Sequence, residues 1–405
     1  MTRKSFKIAN RITVLAVLAI AAVTYLLTIE PTVSFWDCGE YIASSYRLEV
    51  GHPPGNPVWQ ILAKTFTFFT GPEHAAAAIN ACSAVCSAFT IFFLYLTIVF
   101  FARRITGGTD ESRSISETAA ICGAGAVGAL SYCFSDTFWF SAVEAEVYAM
   151  SSLFTAVVFW AMTRWYDEAD KPHSGRWIIL ICFLMGLSIG VHLLNLLSIP
   201  AIVFMYFYRI REDGRYSMKE LCGIFILSCL ILALILFGII PLLPKAAAYS
   251  DLLFVNVFGL PFNSGAIAFM ALLLAGLFWG LFRSLKRGNV VANTVLLCIT
   301  AIIIGFSMYA TVIIRSNAGT PMNENKPDNP FTLISYLNRE QYPKGPLIYG
   351  EYFGADYEIE NKEYWARMDD RYVKGSLPDV IYTPVEKRSA CDPRSSSAVD
   401  PRKHF

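Results

Sequence analysis

Charge is scarce in this chain. Only 16% of its 405 residues are Asp, Glu, Lys or Arg, against about 25% in an ordinary soluble domain. What charge there is nearly cancels: 33 basic and 32 acidic residues leave a net charge of +1. With no basic excess, a nucleic-acid partner is not expected. The chain also lacks a Walker-type phosphate loop, a Gly-rich dinucleotide turn and an HExxH helix. That argues against ATP-driven transport and against a soluble cofactor, and no ligand cluster calls for a metal. Of ten cysteines, eight lie within or beside apolar runs and read as small buried apolar residues, not as a disulfide or zinc framework. Only Cys38 and Cys391 sit in polar segments, with nothing to indicate that they pair.

In place of charge the chain has long apolar runs, and 55% of its residues are hydrophobic. Nine segments approach the roughly 20 helical residues that cross a bilayer. They lie near 12–29, 77–102, 118–135, 147–163, 177–191, 194–208, 221–243, 265–282 and 290–314. The first follows Arg3, Lys4, Lys7 and Arg11 as a signal peptide would, with Ala19 and Ala21 mimicking a cleavage site. Its apolar stretch continues through Ile29, however, which suits a retained span. The expectation is an all-α polytopic membrane protein of about nine transmembrane helices in residues 1–314.

Basic residues set its orientation. Seventeen Lys and Arg fall in one set of loops, and only Arg47, Lys64 and Lys245 in the other. The positive-inside rule then places the N-terminus in the cytoplasm and the tail after Ile314 outside.

The outward loops hold the unusual residues. In the first, residues 30–74, Asp37 and Glu40 are three apart and would share one face of a helix running on through YIASSYRL. Two neighbouring carboxylates can differ in pKa, leaving one available as a base. Trp36 and Tyr41 would anchor that helix at the interface, and Arg47 could meet a phosphate or an acid. His52-Pro53-Pro54-Gly55 is expected to end the helix and hold an imidazole in place. Val58–Phe69 reads as an interfacial helix. Singly, an exposed acid is usually a solvated charge. Two acids, an Arg, a His and a Pro-Pro turn within eighteen residues make a site the stronger reading.

The second outer loop brings Glu144, Glu146 and Tyr148 to the start of a span. Acids there suit a helix dipole; equally, Glu146 and Tyr148 could face the first loop across a shared cavity. His192 and Asn195 either bond between helices or mark a functional spot. Arg315 either snorkels or meets a lipid phosphate. The stretch 315–386 reads as a small extracytoplasmic α/β region, and 387–405 as a disordered tail.

The pattern WDCGEYIA, then GHPPGNP, then EAEVY resembles a bacterial protein O-mannosyltransferase-like membrane family. That family is related to a eukaryotic transmembrane O-mannosyltransferase acting on plexin domains. The resemblance implies a C-type glycosyltransferase fold in the inner membrane, with a polyprenyl-phosphate-linked sugar as donor and an extracytoplasmic, periplasmic protein as acceptor. By position Asp37 is similar to the general base. Glu40, His52 and Glu146 resemble supporting or donor-positioning residues, and Arg315, Asn323 and Glu324 resemble a donor-phosphate segment. The chain stops earlier than such enzymes usually do. Transfer to a lipid or glycan, a transporter or flippase, and a non-catalytic assembly subunit are the alternatives. Acids lining the spans would favour transport, and the spans are almost free of them.

Overall fold

The computed structural model describes residues 3–107, 113–211, 214–342 and 357–382. The apolar runs fold as helices because a backbone in hydrocarbon must satisfy its own N–H and C=O groups. In chain order these are α1 (Arg3–Leu27), α2 (Cys38–Arg47), α3 (Pro57–Phe66), α4 (Ala75–Ile105), α5 (Ile115–Cys133), α6 (Asp136–Ala142), α7 (Val147–Glu168) and α8 (Gly175–Ile189). There follow α9 (Ile199–Ile210), α10 (Met218–Ala233), α11 (Ile240–Asn256), α12 (Ser264–Lys286), α13 (Val290–Phe306), α14 (Ala310–Asn317) and α15 (Pro330–Leu337). Two antiparallel strands, β1 (Tyr357–Met368) and β2 (Arg371–Tyr382), form a hairpin with Tyr357 opposite Tyr382 and Met368 opposite Arg371.

The fold is the expected one, a helical membrane protein with a small sheet near its C-terminal end. Not all of the nine expected crossings are borne out by helix length and composition. Among the described residues six helices are long and apolar enough to cross a bilayer, seven if α5 and α6, bent by 70° at Ser135, form one span. The expected span 177–191 is α8, whose 15 residues fall short. The 147–163 helix continues to Glu168, and its hydroxyl and charged residues keep it out of the apolar class. The 221–243 segment runs on to Asn256, 39 residues in all. A π-helical turn over Leu234–Ile239 adjusts the ladder just ahead of Pro241 and Pro244.

Large apolar side chains on these helices point outward: Phe237, Leu272 and Phe278 are each more than 70% exposed. An exposed patch of that extent matches lipid as its surroundings. Where helices meet, small residues set the spacing. A Cβ on Gly186 of α8 would lie 2.4 Å from the Ile302 carbonyl of α13, and one on Gly305 would lie 2.4 Å from the Leu187 nitrogen. Backbone touches backbone there, as is common between helices in membranes.

α4 and α7 leave the same end of the bundle, where α2, α3 and α6 lie, and carry their basic residues to the other end. At that far end Arg104 meets Asp167 at 2.9 Å, and Glu168 takes Arg164 at 2.7 Å and Arg176 at 3.0 Å.

The hairpin is tied to the turn between α11 and α12. Tyr372, 2% exposed, donates its hydroxyl to buried Asp251 at 2.7 Å and exchanges two backbone hydrogen bonds with the Asn256 amide. Asp251 also accepts from the backbone N–H of Asn263 and Gly265. The described cysteines are all free; Cys391 and the stretch 387–405 lie outside the described residues.

Candidate active site

The loop after α1 is fixed before it reaches the carboxylates. Asn80 of α4 donates to the carbonyls of Glu30 and Thr32, and the Glu30 N–H donates to Val143. Asp37 then occupies the N-cap position of α2, after Trp36 in a left-handed turn (φ 61°). Glu40 lies in the first turn of the same helix, so both carboxylates face one way, as their spacing predicts. The helix ends sooner than expected. It stops at Arg47, where Leu48 turns left-handed (φ 53°), and not at His52.

Past that turn the chain folds back on α2. Val50 pairs with Asn323, its N–H donating to the Met322 carbonyl and its carbonyl accepting from the Glu324 N–H. Tyr336 of α15 donates to the Gly51 carbonyl at 2.7 Å. These bonds, together with the Pro53-Pro54 turn, deliver His52 onto Glu40. One Glu40 oxygen accepts from the His52 backbone N–H at 2.6 Å and lies 2.9 Å from ring Nδ1. The other ring nitrogen, Nε2, faces Asp37 at 3.9 Å. A Cβ at residue 51 would sit 2.5 Å from that Glu40 oxygen, so any residue larger than glycine must push the carboxylate aside.

Glu144 and Glu146 join from the turn between α6 and α7. Glu144 accepts from the Ser34 hydroxyl at 2.6 Å, and Glu146 accepts from the Cys38 thiol at 3.9 Å. Glu324 enters from the strand-like pair with Val50. Around His52 the site therefore holds Asp37, Glu40, Glu146 and Glu324, with Glu144 behind. Asp37 is the exposed member, its side chain 58% accessible, whereas Glu146 is buried at 7%.

The electrostatics follow from crowding and burial. Glu146 is pushed up to about 7, chiefly by burial and then by the Asp37 and Glu144 carboxylates. Burial pushes Glu40 up as well, but its side-chain and backbone hydrogen bonds with His52 outweigh this and leave it below its ordinary value. The Glu40 hydrogen bond raises His52 against the opposing effect of burial. Burial, followed by the charge of Glu40, raises Glu324. Among the described residues no three His, Cys, Asp or Glu side chains group so as to hold a metal ion.

The remaining candidates are placed apart. The Tyr148 and His192 rings contact each other, their centroids 5.3 Å apart and their planes tilted by 53°. Asn195 is buried and donates to Ser188 at 3.0 Å, a bond between helix ends. Arg315 donates to the carbonyls of Leu48 and Arg47, clamping the end of α2. The Asn323 side chain exchanges hydrogen bonds with Ser316. The Arg47 side chain is exposed. Tyr41, expected beside Trp36 at the membrane interface, is instead buried between His52 (5.5 Å) and Trp59 (5.3 Å). Its distance of one helical turn from Asp37 was the signal that would have marked it. For Ser34 and Tyr336 the sequence held no signal.

Comparison with known proteins falls on this same region. Residues 37–215 match the model of the Protein O-mannosyl-transferase TMEM260 N-terminal domain. Protein O-mannosyl-transferase tmem260 of Dictyostelium discoideum is 25% identical over 240 residues, covering 56% of this chain and 27% of the relative. Protein O-mannosyl-transferase TMEM260 of Mus musculus is 28% identical over 208 residues, covering 51% of this chain and 27% of the relative. The matched part thus spans about a quarter of the length of these relatives. No solved structure matches. Through the stretch that opens on Asp37 and carries His52 and Glu146, the chain is related to the protein O-mannosyl-transferases.

Proposed function

We propose that this chain is a membrane glycosyltransferase acting on proteins. It moves a hexose, mannose or one similar, from a polyprenyl-phosphate donor to Ser or Thr hydroxyls of extracytoplasmic proteins, with Asp37 as base. The observation that carries this reading is the division of labour among the clustered acids. Glu40 is committed to His52 and Glu146 is buried, while Asp37 alone stands open to solvent at the mouth. A base must reach the proton that it takes.

In the reaction the acceptor oxygen attacks the anomeric carbon, its proton passes to Asp37, and the carbon–phosphate oxygen bond breaks to release the lipid phosphate. One direct attack inverts that carbon. Arg47, exposed beside the carbonyl-anchored Arg315, and His52, positive over a wider pH range than a free imidazole, would supply positive charge to the departing phosphate. The basic far end of the bundle is the cytoplasmic side, of an inner membrane in a bacterium, and the site faces the periplasm.

The test is transfer from polyprenyl-phosphate mannose to Ser/Thr peptides by the purified chain and by Asp37→Asn. A positioned base contributes about 10²–10⁴ in rate. Loss of that size in a variant of unchanged melting temperature supports the assignment. Equal rates would remove Asp37 from the mechanism, and transfer to glycan or lipid acceptors alone would replace the protein acceptor.

A further inference from the structure

Beside the carboxylate cluster stand three groups that chiefly donate: His192, Tyr148 and Arg339. Their segments are tied to the elements that hold the cluster. Val191 is buried in one apolar group with Tyr41 of α2, Trp59 of α3 and Val147 of α7, and the Gly190 carbonyl accepts from the Val58 N–H at 3.0 Å. These contacts set His192 against Tyr148, two residues beyond Glu146. Arg339 comes from the turn after α15, where its N–H donates to the carbonyl of the same Tyr336 that holds Gly51.

The His192 proton has a fixed place. Nδ1 accepts from the Leu194 backbone N–H at 3.2 Å, so the ring carries its proton on Nε2. Burial, followed by the charge of Arg339, holds His192 below its ordinary value, and the ring is therefore neutral at pH 7. The Arg339 side chain is exposed and rests over the Tyr342 ring at 4.8 Å. It has no carboxylate partner among the described residues, its neighbour Glu340 being taken by Lys362 at 2.9 Å. The Tyr148 hydroxyl, on a side chain 47% exposed, also has no partner among them.

Such a set selects an anionic oxygen. Arg339 repels a cation, and a sugar hydroxyl would find no acceptor here for its own proton. A phosphate offers an acceptor oxygen to each donor and suits the planar guanidinium. Asp37, Glu40, Glu146 and Glu324 would repel it from their own side of the site.

The surroundings of His192 indicate that this phosphate is carried on a lipid. Leu193, Leu194 and Leu197 are 41%, 48% and 62% exposed, in a helix apolar enough to cross a bilayer. A mainly apolar groove of about 300 Å³ between α4, α5 and α7 takes Leu194 into its wall with Leu94, Ala156 and Phe159. Ser151 and Ser152, one helical turn along α7 from Tyr148, belong to the same wall.

We propose that His192, Arg339 and Tyr148 form the seat of the donor's lipid phosphate, with its chain lying in the groove between α4, α5 and α7. The seat holds the phosphate while Asp37 acts on the acceptor, and adds to the charge that Arg47 and His52 supply on departure. The inference rests on the glycolipid-donor reading above.

The experiment is equilibrium binding of polyprenyl-phosphate mannose, polyprenyl phosphate and uncharged polyprenol to the full chain in phosphatidylcholine nanodiscs. Wild type, Arg339→Gln, Arg339→Lys and His192→Phe are compared, with melting temperatures alongside. Wild type should bind both phosphates at least tenfold better than polyprenol. Arg339→Gln and His192→Phe should each lose about tenfold on the phosphates, roughly what a hydrogen bond to a charged group contributes, and nothing on polyprenol. Arg339→Lys should recover part of the loss, and labelled-histidine NMR should find the His192 proton on Nε2. Unchanged phosphate affinity in the folded variants, equal losses on phosphate and alcohol, or a proton on Nδ1 overturns the seat and leaves the donor reading standing. So does displacement of polyprenyl phosphate by added phosphatidylglycerol, which assigns the seat to a bilayer headgroup. Failure of wild type to bind polyprenyl-phosphate mannose overturns the donor reading and this inference with it.

Discussion

Replacing Glu146 by Gln removes a proton that the folded protein holds more tightly than the unfolded chain does. The ordinary value of 4.5 rises to about 7 in the site, and each unit corresponds to roughly 1.4 kcal/mol, so the difference is about 3 kcal/mol. Below pH 4.5 Glu146 is protonated in both states and has no effect on stability. Between 4.5 and 7 the unfolded chain gives up its proton first, so stability falls as pH rises. Above 7 both states are ionised and the whole cost of a charged Glu146 beside Asp37 and Glu144 is present. Gln cannot ionise. Glu146→Gln should therefore match wild type near pH 4 and exceed it by ~3 kcal/mol at pH 8. At about 2 °C per kcal/mol, the low end for large domains, that is roughly 6 °C in apparent melting temperature. Thermal unfolding in one detergent, at pH steps from 4 to 8, measures the gap. A gap that stays constant with pH would show that burial and the neighbouring acids do not hold the Glu146 proton, and the electrostatic account of the site would be wrong.

Gly51→Ala should dislodge Glu40 from His52, because the new Cβ would sit 2.5 Å from the shared oxygen. A loss of about 1–3 kcal/mol is expected, together with a fall of the His52 pKa toward 6.5, read from labelled-histidine NMR. An unmoved titration would show that Glu40 is not what raises it. Gly186→Ala should force α8 from α13, because a carbonyl 2.4 Å away cannot swing aside, and the melting temperature should drop by several degrees. Gly123→Ala on α5, where a Cβ meets nothing within 4 Å, should instead gain up to about 1 kcal/mol from helix propensity. Equal effects of the two would mean that the α8–α13 approach is not close.

Much of the site's local geometry was legible in the sequence because it is set within one helix or one turn. Asp37 and Glu40 share a face through helical spacing alone, and the Pro-Pro turn does present a fixed imidazole. The length of α2 was misjudged: Leu48 turns the chain left-handed without the Gly or Asn that normally announces such a turn. Not all nine expected crossings are borne out by length and composition: α8 is short, α7 is too polar, and α5 counts only together with α6, across a 70° bend that composition does not show.

The sequence by itself determined that this is a helical membrane protein, where its apolar runs lie, and that unusual acids and a histidine cluster in the loops at one end. Those properties follow from side-chain chemistry and helical spacing, which act over a few residues. Only the tertiary structure decided that Glu146 and Glu144 reach the loop of Asp37 across more than a hundred residues, and that Glu324 completes the ring. It alone set the division between an open Asp37 and a buried Glu146. Burial and proximity depend on which helices pack together, so the same carboxyl group acquires its role only when the bundle closes around it.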